Sequence, residues 1–210
     1  MVVDCGSGKK TSINFLAHLT LSYFEPDLQV GNFLGDFVKG ARVSLLPDSV
    51  IAGIEMHRAI DKLTDQDEDV RSLNTLLKPK HGRYASVITD ISFDYYLWRN
   101  WEAFGPLPFE EFCQSAYANL YERRDHMDDR VRGYVNGMVK DNWLRLYTTR
   151  EGMSRVFDRL RPRLSQPHLL NGIDTTLLEF HEDFNQTFLA LFPRLQTLAT
   201  TYAQDSSSTN

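Results

Sequence analysis

The chain has 210 residues, of which 42% are hydrophobic and 24% are charged, and its formal net charge is −5. A chain of this length suits one domain that buries a core without disulfides or structural zinc. The acidic balance argues against nucleic acid as the main partner, because binding a phosphate backbone needs concentrated lysine and arginine.

The cysteines and the hydropathy of the chain indicate the cellular compartment in which the protein is expected. The two cysteines, Cys5 and Cys113, have no zinc-ligand spacing and cannot form a disulfide framework, which favours a reducing cytoplasm. No stretch approaches the ~20 apolar residues of a membrane span. We therefore expect a cytoplasmic protein without a membrane span, in an oligomeric state that the sequence leaves open.

The two ends of the chain differ from its middle. Residues 1–12 lack the apolar core of a signal peptide, and we expect a polar leader that is disordered or not native to the protein. Its Gly8-Lys9 step resembles a phosphate-binding loop but lacks the earlier glycine and the hydroxyl residue after the lysine. We expect one domain over residues 13–202 and a frayed tail over 203–210.

Apolar residues recur with helical periodicity almost throughout the chain. The pattern predicts a helix from Ile13 that ends before Pro26, a second helix capped by Asp27 and stopped at Gly40, and a third opened by Pro47. After these it predicts a short acidic segment at 65–77, a loop at 78–82 and a long helix that carries Val87 to Trp98. A break at 105–108 and helices at 109–121, 131–144 and 151–160 follow. The last predicted helix spans 173–202 and is kinked or broken at Pro193. The fold class is therefore all-α, a single compact bundle of about seven to nine helices.

Four of these helices place two polar side chains four residues apart, beside or within the apolar stripe. Residues at i and i+4 lie on one helix face, one turn apart. The pairs are Asn14 with His18, Asn32 with Asp36, His57 with Asp61, and Asp90 with Asp94.

Buried carboxylates need compensation, because each one without a partner costs several kcal/mol. A divalent cation held by carboxylates and imidazoles on facing helices would supply it. Carboxylate, imidazole and amide groups together suit Mg²⁺ or Mn²⁺, and without a thiolate they suit Fe²⁺ or Zn²⁺ less well. Any single pair is more often a solvated face or a structural hydrogen bond, and Asn14 could be only a helix cap. Spacing alone leaves the metal site and the structural interpretation about equally supported.

At these pairs the sequence resembles the acyl carrier protein phosphodiesterase family. The resemblance runs from about residue 13 to about residue 200 and rests on several ordered motifs. They are Ile13-Asn14-Phe15-Leu16-Ala17-His18-Leu19, Gly31-Asn32-Phe33-Leu34-Gly35-Asp36-Phe37-Val38-Lys39-Gly40, Val50-Ile51-Ala52-Gly53-Ile54-Glu55-Met56-His57-Arg58-Ala59-Ile60-Asp61, Thr64-Asp65, Asp90 with Asp94, and Phe192-Pro193-Arg194.

The resemblance implies an activity and a fold. The family is similar to the HD phosphohydrolases, which are all-helical and hold divalent metal by His and Asp. It hydrolyses the phosphodiester between 4′-phosphopantetheine and a serine of holo-acyl carrier protein, usually with Mn²⁺, within fatty acid and lipid metabolism. One departure matters: the adjacent His-Asp dyad is absent from this chain, and His57 and Asp61 stand for it at helical spacing.

The resemblance also implies site roles for particular residues. We expect Asp36, His57 and Asp94 as metal ligands, followed by Asp61 and Asp90. His18 or a carboxylate that is not a ligand would move the proton. The groups expected to orient the ligands or hold the substrate phosphate are Asn14, Asn32, Lys39 and Arg58.

Two rival functions are compatible with the same residues. An HD-type phosphohydrolase that acts on a nucleotide or another small phosphoester would ignore the carrier protein. A helical module without catalytic activity would bind an acidic partner and no metal. Other motifs are weaker: His181 to Asn185 lacks the second histidine of a zincin helix, and Cys113 beside Phe112 suits a core position better than a nucleophile.

Overall fold

Residues 14–207 are described by the computed structural model of the chain. The leader, with Cys5 and its Gly8-Lys9 step, lies outside these residues. Within them the chain forms eleven α-helices joined by short 3₁₀ turns, with no β-strand. The α-helices are α1 Phe15–Leu21, α2 Pro26–Leu34, α3 Asp48–Gln66, α4 Glu68–His81, α5 Ala85–Arg99, α6 Trp101–Phe104, α7 Phe109–Glu122, α8 Asp129–Lys140, α9 Arg150–Leu160, α10 Ile173–Glu179 and α11 His181–Ser207. The predicted all-α class is confirmed.

Helix α5 is the central helix of the bundle. Ten of its fifteen residues are buried, so it is covered on almost every side. Helices α1, α4 and α11 pack against it, and α11 also lies along α3 and α4. The polar residues of α5 that point inward, Asp90 and Asp94, are therefore in the interior and need partners there.

Helices α2 and α3 approach each other closely enough for their backbones to touch. A Cβ atom on Gly31 would lie 2.1 Å from the Val50 carbonyl oxygen, and one on Gly53 would lie 2.3 Å from the Leu28 carbonyl oxygen. Only glycine fits at either position without moving the helices apart. This contact fixes the distance between the two helices, which carry Asn32 on one side and His57 and Asp61 on the other.

The start and the end of α2 differ from the sequence prediction. The cap is Glu25, whose side chain accepts hydrogen bonds from the backbone N–H groups of Asp27 and Leu28, and Pro26 occupies the first turn. The helix ends at Leu34, six residues before the predicted stop at Gly40. Asp36 therefore lies in the turn after α2, and the prediction that it shares a helix face with Asn32 is wrong.

Three other element predictions also need correction. Most of the acidic segment and loop predicted between 65 and 82 forms one helix, α4 at Glu68–His81, capped by the Asp67 side chain, while Asp65 and Gln66 end α3. The predicted helix at 131–144 ends at Lys140, and a 3₁₀ turn at Trp143–Thr148 follows. The terminal helix breaks at Phe180, whereas Pro193 lies inside an unbroken α11 that includes the first residues of the expected tail.

None of the helices among residues 14–207 is long and apolar enough to cross a membrane. The predicted core position of Cys113 is confirmed, because its side chain is 2% exposed. Burial raises the pKa of this thiol to about 12, which removes it as a nucleophile near neutral pH.

Candidate metal centre

The polar residues of α1, α2 and α3 meet in the interior around His18. The side chain of His18 is almost fully buried, and its Nδ1 lies 2.7 Å from Asn32 Oδ1. The Asn32 amide nitrogen donates to the His18 carbonyl oxygen at 3.0 Å and to Ser22 Oγ at 3.2 Å. With its N–H₂ group used in this way, Asn32 presents its oxygen to the ring, so His18 Nδ1 must carry the hydrogen. The remaining ring nitrogen, Nε2, points towards Asp61 Oδ1 at 3.4 Å.

His57 lies beside His18 in a stacked arrangement, with ring centroids 4.2 Å apart. Its Nε2 lies 3.6 Å from Asp36 Oδ1 and 3.7 Å from Asp61 Oδ2. Gly35 makes room for this ring, since a Cβ there would lie 2.3 Å from His57 Cγ. The turn after α2 thus brings Asp36 to the histidines, although Asp36 is not on the helix face that the sequence suggested.

His18, His57 and Asp61 form a group that could hold a metal ion. One ligand atom from each lies within 4.8 Å of the others. Metal-ligating histidines usually donate their other ring N–H to a fixed acceptor, and Asn32 provides such an acceptor for His18. The donor set of two imidazoles with Asp61 and the neighbouring Asp36 therefore fits a divalent cation.

Asp90 lies near this group, where its charge acts on His18, and Asn14 holds it in place. The Asn14 amide nitrogen donates to Asp90 Oδ1 at 2.9 Å, and both side chains are buried. The Asn14 side-chain oxygen is buried and has no hydrogen-bond partner among the residues that the structure describes. Asn14 therefore holds Asp90 in place and presents an amide oxygen to the interior of the protein. These contacts differ from those of a helix cap, because the Asn14 side chain makes no capping hydrogen bond to α1.

Asp94, which was also predicted as a ligand, has contacts different from those of Asp36, His57 and Asp61. Its Oδ2 accepts from the Leu16 N–H at 2.9 Å and its Oδ1 accepts from the Ala17 N–H at 2.8 Å. These groups belong to the first turn of α1, whose N–H groups have no partner within the helix. Burial raises the pKa of the Asp94 carboxyl to about 8, while the two backbone donors act in the opposite direction. Its contacts favour a structural role, as the buried cap of α1.

The two predicted phosphate-binding cations do not reach this group. Lys39 and Arg58 are both exposed, and neither contacts the histidines or carboxylates of the centre among the described residues. The remaining histidines also lie elsewhere. His81, expected in a loop, is fully buried at the end of α4, where its ring nitrogens contact the Leu169 carbonyl oxygen and Thr176 Oγ1.

The charge of His18 responds to the surrounding carboxylates. Burial alone lowers the pKa of this imidazole, but Asp61, with help from Asp36 and Asp90, raises it to about 9 against an ordinary value of 6.5. In the absence of metal the ring is therefore protonated at neutral pH, with Nε2 donating towards Asp61. Metal binding at Nε2 would require the loss of that proton.

We expect the metal-free protein to lose stability as the pH rises from about 6.5 to about 9. The folded-state pKa of His18 lies above its ordinary value, so the stabilising contribution is complete below pH 6.5 and disappears as the pH passes 9. The corresponding loss in the free energy of unfolding is on the order of 3 kcal/mol. Urea unfolding with EDTA at several pH values measures this, and His18→Gln is the control. A wild-type slope equal to that of the variant would contradict the assignment.

Comparison with known proteins gives a consistent result. A family model described as acyl carrier protein phosphodiesterase matches residues 13–195. The chain is 28% identical to a protein named acyl carrier protein phosphodiesterase from Enterobacter sp. (strain 638), over 89% of this chain and 97% of that protein. It is 26% identical to a protein of the same name from Pectobacterium atrosepticum, over 90% of this chain and 98% of that protein. For the protein of that name from Escherichia coli (strain K12 / DH10B) the identity is 29%, over 89% and 97% of the two chains. No solved structure matches the chain.

Proposed function

The chain belongs to the acyl carrier protein phosphodiesterase family, and from that premise we propose that it hydrolyses the phosphodiester that joins 4′-phosphopantetheine to a serine of holo-acyl carrier protein. The products are apo-acyl carrier protein and 4′-phosphopantetheine. The observation that carries the proposal is the convergence of His18, His57 and Asp61 within 4.8 Å, on helices that the family model covers.

The proposed ligands are Nε2 of His18, Nε2 of His57, and the carboxylates of Asp61 and Asp36. Two imidazoles and two carboxylates form a mixed set that suits Mn²⁺, with Fe²⁺ or Mg²⁺ as alternatives. We leave Asp94 out of this set, because both of its oxygens hold the first turn of α1. When bound, the ion supplies Lewis acidity to the phosphoryl oxygens and lowers the pKa of a coordinated water.

The surrounding residues position the ligands and handle protons. Asn32 holds His18 by Nδ1, so that Nε2 faces Asp61 and can bind the ion once it has lost its proton, and Gly35 admits the ring of His57 beside it. Asp90 is held by Asn14 and is not one of the proposed metal ligands. We assign it the role of taking a proton from the attacking water or returning one to the leaving group. Water attacks phosphorus in line with the departing serine oxygen, so no covalent intermediate with the enzyme is required.

We expect incubation with holo-acyl carrier protein and Mn²⁺ to remove the 4′-phosphopantetheine mass from the carrier protein. Intact-protein mass spectrometry measures the loss, and EDTA should stop the reaction because the histidine–carboxylate group cannot act without its ion. Apo-acyl carrier protein serves as the unreactive control.

Two outcomes would contradict this assignment. Turnover of small phosphoesters alone, with holo-acyl carrier protein unchanged, would favour the HD-type phosphohydrolase. Absence of bound metal, together with inertness towards both substrates under Mn²⁺, Fe²⁺ and Mg²⁺, would favour a helical binding module.

A further inference from the structure

A cavity of about 170 Å³ lies between α8, the 3₁₀ turn at Trp143–Thr148, α9, and the 3₁₀ turn at Arg161–Arg163. It is far larger than the space that one water molecule needs. Its lining includes the aromatic and aliphatic side chains Tyr134, Trp143, Leu146 and Val156, and two arginines, Arg159 and Arg163. None of these residues belongs to the four polar pairs or to the family motifs.

The cavity lies next to the two chain segments that carry Asp36 and Asn14. The ring of Tyr134 packs against Phe37 at 5.3 Å and against Phe15 at 5.8 Å between centroids. Phe37 directly follows the proposed ligand Asp36, and Phe15 directly follows Asn14. Burial raises the pKa of the Tyr134 hydroxyl, and the charge of the Asp36 carboxylate adds to this rise.

The lining combines apolar walls with strong hydrogen-bond donors. The Arg159 guanidinium lies 4.5 Å from the centroid of the Trp143 ring, and the Arg163 guanidinium interacts with the Tyr134 hydroxyl. No acidic side chain is present among the lining residues that the structure describes. Such a cavity suits a slender ligand with methyl and methylene groups and with oxygen atoms that accept hydrogen bonds, neutral or anionic in charge.

We propose that this cavity receives the pantetheine arm of the substrate, with Arg159 and Arg163 donating to its hydroxyl and amide oxygens. The inference rests on the proposed function, since the arm is the part of the prosthetic group that leads away from the phosphate at the metal centre. The walls at Trp143 and Leu146 would contact the methyl and methylene groups. The cavity would thereby distinguish a pantetheine diester from other phosphodiesters.

The experiment compares Arg159→Ala and Arg163→Gln with Arg155→Ala. Arg155 is an exposed arginine on α9, the helix that carries Arg159, and it does not line the cavity. We expect each cavity variant to raise the KM for holo-acyl carrier protein by about tenfold, the effect of one lost charge-assisted hydrogen bond. Turnover of bis(p-nitrophenyl) phosphate, which lacks the arm, should stay unchanged, as should both activities of Arg155→Ala.

A second measurement separates this inference from the proposed function. Titration calorimetry of the metal-free protein with 4′-phosphopantetheine should show binding that the cavity variants weaken and Arg155→Ala does not. Binding of this kind without hydrolysis of holo-acyl carrier protein would reject the proposed reaction and support the role of the cavity in binding the pantetheine arm. Hydrolysis with an unchanged KM in both cavity variants would reject the role of the cavity and support the proposed reaction. If the protein neither hydrolyses holo-acyl carrier protein nor binds 4′-phosphopantetheine, both the role of the cavity and the reaction are rejected.

Discussion

Replacing Asp61 with asparagine is expected to lower kcat for holo-acyl carrier protein by about 10²–10³-fold, the usual effect of removing one group that stabilises charge in a transition state. Asp61 lies at the middle of the proposed centre, 3.4 Å from His18 Nε2 and 3.7 Å from His57 Nε2. An amide of the same shape supplies no negative charge, so the ion should bind more weakly. Steady-state turnover and elemental analysis of bound manganese measure the two effects.

The matched control for this substitution is Glu55→Gln, which removes one negative charge from an exposed position on the same helix. It should retain wild-type turnover and metal content. Far-ultraviolet circular dichroism should show the same helical content in both variants, because Asp61 caps no helix. Wild-type turnover in Asp61→Asn would remove this residue from the mechanism and with it the proposed ligand set.

Replacing Asp94 with asparagine is expected to act on stability first. The two oxygens of Asp94 hold the Leu16 and Ala17 N–H groups in the interior, and an amide would place an N–H₂ group against one of these donors. The expected loss is about 2–4 kcal/mol in the free energy of unfolding of the metal-free protein, from one buried donor left unsatisfied and one buried hydrogen bond weakened. In a chain of this size the melting temperature should fall by roughly 5–15 °C.

Asp128→Asn provides the comparison, because Asp128 caps α8 from an exposed position. Asparagine caps an exposed helix about as well as aspartate, so this variant should melt within a few degrees of wild type. The experiment also decides between two roles for Asp94. Unchanged metal-free stability together with lost manganese binding would show that Asp94 is a ligand, as the sequence resemblance implied.

Local sequence patterns predicted the polar pairs better than they predicted the contacts of each pair. The spacing of His57 and Asp61 was sufficient to place them on one face of α3, since four residues make about one helical turn. It could not show that Asp94 would reach the backbone of α1, because that contact joins residues 77 and 78 positions apart. Periodicity identifies the buried face of a helix, but the partner on that face depends on tertiary packing.

Asp36 shows a second limit of sequence reasoning. Its spacing from Asn32 suggested one continuous helix, but α2 ends at Leu34 and the following turn carries Asp36 to His57. Helix ends are difficult to locate when the residues beyond them are also apolar, as Phe37 and Val38 are. The cavity beside Tyr134 left no signal in the sequence, because its lining comes from two helices and two 3₁₀ turns with no shared motif.

The contact between α2 and α3 has a consequence for how this protein can change over time. Side chains that separate two helices can be exchanged for larger or smaller ones, and the helices then shift relative to each other. At Gly31 and Gly53 no side chain separates the backbones, so no such exchange can alter their distance gradually. Substitutions can therefore accumulate in the rest of the core while Asn32, His57 and Asp61 keep their relative positions. The geometry of the centre is thereby preserved while most of the surrounding sequence changes.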